Sequence, residues 1–264
     1  MKAPEVISSR LHPLVKELRD IRDGRSAPLL FCEGPRLVQE AMNSRKTIDI
    51  LVWTPSHAKD SILESAMAVS RRSFQVTETV FLAISDVESP QGILAVTDRP
   101  TAAWENLVRQ APAPIVILDG LQDPGNLATI VRTAEAAGAV GVVTTPGTAH
   151  LYSPKALRSA MGSTLRLPCL EHQLVSEIHG VLNKASYRIL AAVMSDKRPS
   201  VAYTSIDWKQ PNALLLGREG RGCSPDWDPI INAWVHIPMR PPVESLNVAA
   251  AAAVLLYEFS RHNA

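Results

Sequence analysis

The 264-residue chain has only three cysteines, Cys32, Cys169 and Cys223, far apart and without a C-x-x-C pair. That excludes a zinc ribbon and a thioredoxin-type motif. Three is also an odd number for a disulfide framework, so a reduced intracellular protein is expected. Neither charge is in excess: 27 Lys and Arg face 26 Asp and Glu, for a net charge of +1. There is no basic tail and no strongly cationic module, although a local patch on a neutral protein can still bind nucleic acid. Long apolar runs are missing too. The longest, Val248–Tyr257, has ten residues, against the roughly 20 of a membrane span. The N-terminal stretch scatters its charges and has no apolar core of the kind a secretory signal needs. No membrane partner is expected, and the expected compartment is the cytoplasm.

What is present is an ordinary globular composition, 46% apolar and 20% charged, long enough for about two domains. Residues 99–113 are rich in Pro and Ala and read as a linker between residues 1–98 and 114–264. In the first part, helices are expected over Ser8–Arg22, Pro35–Met42 and Lys59–Val69, with a helical turn at Glu78–Ile84. Strands are expected at Pro28–Cys32, Ile48–Trp53, Ser73–Val76 and Gly92–Thr97. This is a small α/β sandwich. In the second part, short unalternating apolar strands (Ile115–Leu118, Val140–Thr144, Arg188–Val193, Ala213–Leu216, Trp234–Pro238) alternate with helices at Asn126–Ala137, Pro154–Met161, Leu174–Lys184 and Ser245–Arg261. Strands buried on both faces and joined by helices make a parallel sheet.

Three segments of the second part hold chemistry-bearing residues. In Asp119–Gly138, Asn126 follows a tight Asp-Pro-Gly turn as an expected helix cap, and Arg132 lies further along the same helix. Leu214–Ser224 places Gly217, Gly220 and Gly222 just after a buried strand, with Glu219 among them. The glycines fit neither a Walker loop nor a Rossmann fingerprint. A carboxylate at the C-terminal end of a parallel strand nevertheless sits where α/β proteins bind ligands. In His236–Glu258, a strand is followed by Arg240-Pro241-Pro242 and an Ala-rich helix, with Ser245 as the expected cap and Asn247 in the first turn. Taken singly, each segment has an ordinary structural explanation: a cap, a turn, a surface ion pair. Cys223 beside the Gly-rich loop has no neighbouring His and reads as a packed small residue, not a nucleophile. No metal-ligand set is legible.

In this order and spacing, the three segments resemble the SpoU (TrmH-like) family of RNA ribose 2′-O-methyltransferases, in the SPOUT superfamily. The matching motifs are Asn126…Arg132, Gly217-Arg218-Glu219-Gly220-Arg221-Gly222 and Ile237-Pro238-Met239…Ser245-Leu246-Asn247-Val248, with Thr144–Ser163 as the family's middle segment. The first 100 residues are similar, more loosely, to the substrate-binding domain often placed in front, through Phe31–Ala41 and Ser89–Val96. One departure is Arg240-Pro241-Pro242, where the family usually has a small residue.

The resemblance implies a C-terminal parallel-sheet α/β domain with a deep trefoil knot, preceded by the α/β sandwich, and a homodimer through the C-terminal domain with the site at its seam. It implies S-adenosyl-L-methionine as cofactor, held by Gly217, Ile237 and Leu246 with Leu216, Met239 and Thr144 nearby. The substrate is a ribose 2′-hydroxyl of rRNA or tRNA. Arg132 orients the hydroxyl or its phosphate, because a guanidinium is a poor base. Glu219, Ser245 and Asn126 fix Arg132 and the loops, and Asn247 orients hydroxyl or cofactor. Arg158, Arg166, Arg218, Arg221 and Arg240 are candidate phosphate contacts. Lys16, Arg19, Arg22 and Arg25 form a further basic set that also reads as a solvated helix face balanced by acids. A resistance-type rRNA methylase, a small-molecule methyltransferase and a non-catalytic RNA-binding or assembly factor are the competing readings.

Overall fold

The computed structural model describes residues 6–26, 28–44, 47–58, 60–109, 113–194 and 198–263. The chain forms two compact units. One is Met1–Pro100 with Tyr152–Arg166; the other is Thr101–Leu151 with Leu167–Ala264.

The first unit runs β1 (Val6–Ile7), α1 (Pro13–Arg22), β2 (Leu29–Glu33), α2 (Pro35–Asn43), β3 (Ile48–Trp53), α3 (Ser61–Ala68), β4 (Ser70–Val76), α4 (Glu78–Ile84) and β5 (Ile93–Asp98). The strands form one sheet in the order β1-β4-β3-β5-β2, with β5 antiparallel to both its neighbours. Successive side chains on a strand point to opposite faces, and here both faces are apolar. Phe31, Ile50, Val52, Leu94 and Val96 join α1 and α4 in one core. Leu30, Cys32, Leu51, Trp53, Ile93 and Ala95 join α2 and α3 in another. The sandwich expected from sequence is thus a mixed sheet with helices on both sides. Helix α1 starts later than its periodicity suggests. Pro13 takes the first helical position, where its missing N–H costs nothing. The His12 ring accepts the Leu14 N–H at 3.2 Å, and Val6–Ile7 pairs with β4 instead.

The second unit contains α5 (Trp104–Val108), β6 (Ile115–Leu118), α6 (Pro124–Ala136) and β7 (Gly141–Thr144). The chain then passes through α7 (Pro154–Ala160) and α8 (Ser163–Arg166), which belong to the first unit. The second unit resumes with β8 (Cys169–Leu170), α9 (Val175–Lys184), β9 (Arg188–Ala192), β10 (Val201–Ala202), β11 (Asn212–Leu216), β12 (Ala233–His236) and α10 (Val248–Asn263). Residues 99–113, read as a linker, contain α5, while 110–112 lie outside the described residues. The expected domain 114–264 is corrected here, since 152–166 belongs to the first unit. Leu157 and Leu165 are buried with Leu30, Val38 and Leu63, so this segment completes the first unit's second core.

The second sheet is all parallel, in the order β10-β12-β9-β11-β6-β7-β8. Every residue of β6, β7 and β11 is buried, which is why these strands show no alternation. Ile115, Ile117, Ala213 and Leu215 pack with Ile178 and Leu182 of α9 and with Trp227. On the alternate positions Val116, Val142 and Leu214 are equally buried. Helices α6 and α10 pack on each other.

Two helix starts differ from expectation. For α6 the cap is Asp123, whose carboxylate accepts the Asn126 N–H at 2.7 Å; Pro124 follows at the first helical position, and Asn126 falls inside the first turn. For α10 the cap is Asn247 rather than Ser245: its Oδ1 accepts the Ala249 N–H at 2.8 Å and the Ala250 N–H at 3.4 Å.

Candidate active site

Strand order builds the site. Strands β12, β9, β11 and β6 are consecutive neighbours and parallel, so the segments leaving their C-terminal ends emerge side by side. In open α/β sheets, ligands bind at that edge. Three of these segments, Ala192–Met194, Leu216–Cys223 and Ile237–Val248, line one cavity of about 620 Å³ together with Ala251 and Leu255 of α10. That is within the range of small-molecule and cofactor sites.

The loop after β11 is a tight hairpin. Arg218 and Gly222 exchange backbone hydrogen bonds, each 2.9 Å long. A Cβ on Gly217 would stand 2.3 Å from the Gly222 carbonyl carbon and 2.4 Å from the Cys223 nitrogen. Only glycine lets the two arms of this turn approach so closely, and Gly217 also lines the cavity. Gly120 needs glycine for a different reason, its left-handed φ of +70°; the nearby Arg218 guanidinium is a movable side chain. Asp119 holds the loop from beneath. Its carboxylate is buried and accepts the Thr145 hydroxyl and the Ser224 N–H, both at 2.6 Å, while its own N–H donates to the Leu216 carbonyl at 2.9 Å. Sequence reasoning did not single out Asp119. The available signal was a charged residue directly after the fully apolar Ile115–Leu118.

Three expected residues form a chain of hydrogen bonds, and capping dictates its direction. Asn247 Oδ1 is occupied by the α10 N–H groups, so its Nδ2 faces outward and donates to Asn126 Oδ1 at 3.1 Å. Asn126 Nδ2 then donates to the Glu219 carboxylate. Helix cap, amide, amide and carboxylate are thereby aligned, joining the segments after β6, β11 and β12. Glu219 and Asn247 line the cavity, as do Ser245, Gly217, Ile237, Leu246, Leu216 and Met239.

Several expectations are corrected. Thr144 does not line the cavity. It is buried on β7, where its hydroxyl accepts the His172 N–H at 3.2 Å and its carbonyl the Gln173 N–H at 2.8 Å. Glu219, Ser245 and Asn126 do not hold Arg132. Six residues at 3.6 per turn set Arg132 about 120° around α6 from Asn126. Arg132 is exposed, with no hydrogen bond or ion pair among the described residues. Arg158 and Arg166 belong to the first unit and are held by carboxylates: Arg158 pairs with Asp86 at 2.7 Å, and Arg166 with the buried Glu40. Arg218, Arg221 and Arg240 are exposed in the second unit. On α1, Arg19 and Arg22 bond the carbonyls of Ala83, Ile84 and Ser85, and Arg25 pairs with Asp20 and Asp23, so this set serves the fold.

Arg198 and Trp234 are among the cavity residues that were not anticipated. Arg198 stacks on Trp234, with its guanidinium carbon 4.3 Å from the ring centroid, and pairs with Asp228 at 2.7 Å. These two lie 36 positions apart, so no local motif announces them. Cys223 also lines the cavity, but burial and then the Asp119 carboxylate push its thiol up to about 12. A thiolate is therefore disfavoured at neutral pH, in keeping with a packing role.

Residues 113–257 match the model of the SpoU rRNA methylase family, and residues 13–95 that of an MRM3-like substrate-binding domain. A Synechocystis protein named as an uncharacterized tRNA/rRNA methyltransferase is 33% identical over 97% of this chain and 93% of its own length. The Bacillus subtilis 23S rRNA (guanosine(2553)-2′-O)-methyltransferase RlmP is 31% identical over 92% of both chains. The crystal structure of an AdoMet-bound rRNA methyltransferase from Sinorhizobium meliloti superimposes with a TM-score of 0.86 at 27% identity, covering 98% of each chain.

Proposed function

Because this chain belongs to the SpoU rRNA methylase family, we propose that it methylates a ribose 2′-hydroxyl of rRNA with S-adenosyl-L-methionine as donor. The observation that carries this reading is the cavity at the parallel-sheet edge, lined by Gly217 and bordered by the Asn247–Asn126–Glu219 chain. Its residues suit the cofactor. Leu216, Ile237, Leu246 and Met239 offer apolar walls, and the Cβ-free backbone at Gly217 offers polar groups at close range. When bound, S-adenosyl-L-methionine supplies a methyl group already activated by the sulfonium charge.

What the chain adds is positioning, which can account for a large part of such a rate. Asn247 and Glu219 order the lip of the cavity, so the attacking hydroxyl meets fixed dipoles. Arg132 orients that hydroxyl or its neighbouring phosphate and offsets the developing negative charge; the proton leaves to water. Since Arg132 finds no partner among the described residues of its own chain, the reading includes a homodimer through the second unit. Its seam carries Arg132 and the exposed Val254 and Tyr257 of α10. The trefoil knot and a cytoplasmic location belong to the same reading; among the described residues no helix is long and apolar enough to cross a membrane. Arg218, Arg221 and Arg240 are the phosphate contacts, and binding weakens with salt as counterion release requires. Arg158 and Arg166 are left out because carboxylates already hold them.

The test is to incubate the protein with unmodified rRNA, and separately tRNA, and methyl-labelled cofactor, then digest the RNA to nucleosides. Label in a 2′-O-methylnucleoside from rRNA supports the reading. Label in a base, or none in either RNA, overturns it.

A further inference from the structure

On the second unit, apart from the cavity, His150, Glu171 and His172 bring their ligating atoms within 4.8 Å of one another. The two imidazoles meet edge to face, with centroids 5.2 Å apart at 80°. Both rings are exposed and Glu171 is half-buried. We propose that these three side chains form a binding site for one divalent transition-metal ion of the Zn²⁺ class, with water completing its coordination.

The backbone already holds the three positions. The Ala149 N–H donates to the Leu121 carbonyl at 2.7 Å, fixing the chain just before His150. The Leu151 N–H, just after it, donates to the Glu171 carboxylate at 2.7 Å. That bond orients the carboxylate in the way outer-shell partners orient metal ligands. His172 adopts φ +56°, a left-handed conformation uncommon for a residue with a side chain. It is kept there by hydrogen bonds from its own N–H and that of Gln173 to Thr144. Two imidazoles and a carboxylate are ligands for Zn²⁺ and its transition-metal neighbours rather than for Mg²⁺ or Ca²⁺, which take oxygen. Tetrahedral bonds of about 2.0–2.1 Å put ligand atoms about 3.4 Å apart, so modest rotation of the exposed rings closes the set.

The placement suggests a structural purpose. His150 precedes Leu151, where the chain leaves the second unit, and Glu171 and His172 follow Leu167, where it returns. A metal across them staples the two ends of that excursion. Sequence reading found no metal set because the first two ligands lie 21 positions apart.

Tag-free full-length protein is titrated with Zn²⁺, and in parallel with Mg²⁺, by calorimetry; Co²⁺ is added as a spectroscopic probe. One equivalent of Zn²⁺, no comparable Mg²⁺ binding and a Co²⁺ absorption band are expected. His150→Ala and His172→Ala each weaken Zn²⁺ at least tenfold. Glu171→Gln, which keeps an acceptor for Leu151, also weakens it and abolishes the Zn²⁺-induced rise in Tm. Absence of stoichiometric Zn²⁺ binding by the wild type, or wild-type binding in both histidine variants, overturns the site.

Discussion

The two units share arginine–carboxylate pairing but differ in what they leave unpaired. In the first, arginines are consumed internally: Arg72 pairs with Glu17 and Asp49, Arg166 with buried Glu40, Arg158 with Asp86, and Arg22 with main-chain carbonyls. In the second, Arg132 is exposed and without a partner among the described residues, and Arg218 and Arg221 stand on a hairpin beside a cavity. The sheets differ in step with this. The first is mixed. The second is entirely parallel, so its loops gather at one edge. Ion pairs serve the fold in the second unit as well, where Arg198 meets Asp228 and Arg261 meets Glu258, but there further arginines are left exposed at the cavity's edge.

The sharpest way to break this contrast is Arg132→Ala. With no bond to lose in its own chain, Tm should stay within the range of a neutral surface change, about ±0.5 kcal/mol. Methyl transfer should fall about 10²-fold, as on removing one donor to developing charge. Arg132→Lys should recover little of it. Unchanged turnover in Arg132→Ala removes this residue from the mechanism.

Gly217→Ala comes next, since its Cβ meets backbone rather than a flexible side chain. A destabilisation of about 1–3 kcal/mol is expected, and calorimetry should record a weakening of S-adenosyl-L-methionine by at least tenfold. The mirror experiment lies in the first unit. Glu40→Gln removes the charge facing Arg166 and Arg36 and should cost about 1–3 kcal/mol in urea unfolding, with cofactor affinity unchanged. A loss of affinity there would erase the distinction between the units.

Smaller effects sharpen the picture. Asn247→Asp keeps an acceptor for the α10 N–H groups but deletes the donor to Asn126. Stability should hold while cofactor affinity drops about tenfold, equivalent to about 1.4 kcal/mol. Equal losses from Asn247→Asp and Asn247→Ala in both measurements would reduce the residue to a cap. For Cys223, the thiol raised to about 12 means the folded state favours the protonated form. Its stabilising contribution is complete below the ordinary thiol pKa and fades as pH rises toward about 12. Iodoacetamide at pH 8 should therefore label the folded chain far more slowly than the unfolded chain, as read by intact mass.

Much of this was legible because local chemistry dictated it. Ile115–Leu118, Ile48–Trp53 and Glu78–Ile84 have the bounds that their apolar spacing suggests. Gly217, Glu219 and Asn247 stood out from the chemistry of their segments, Ile237 and the roles of all four came from the resemblance, and strand order is what gathers them. Other features depend on partners distant in sequence. The membership of residues 152–166 in the first unit rests on Leu157 and Leu165 packing with Leu30, Val38 and Leu63 there. The burial of Thr144 and the pairing of Arg166 follow from tertiary packing that no short window contains. The Asn126 and Ser245 caps were misjudged for a local reason: Asp123 before a proline and Asn247 are the stronger caps a few residues away.

The most direct measurement is a calorimetric titration of S-adenosyl-L-methionine into the wild-type chain beside Gly217→Ala. The cavity between the segments after β9, β11 and β12 predicts one molecule bound per chain, weakened at least tenfold by the added methyl group. No binding to the wild type, or equal binding to both proteins, would contradict the assignment of this cavity as the methyl donor's site.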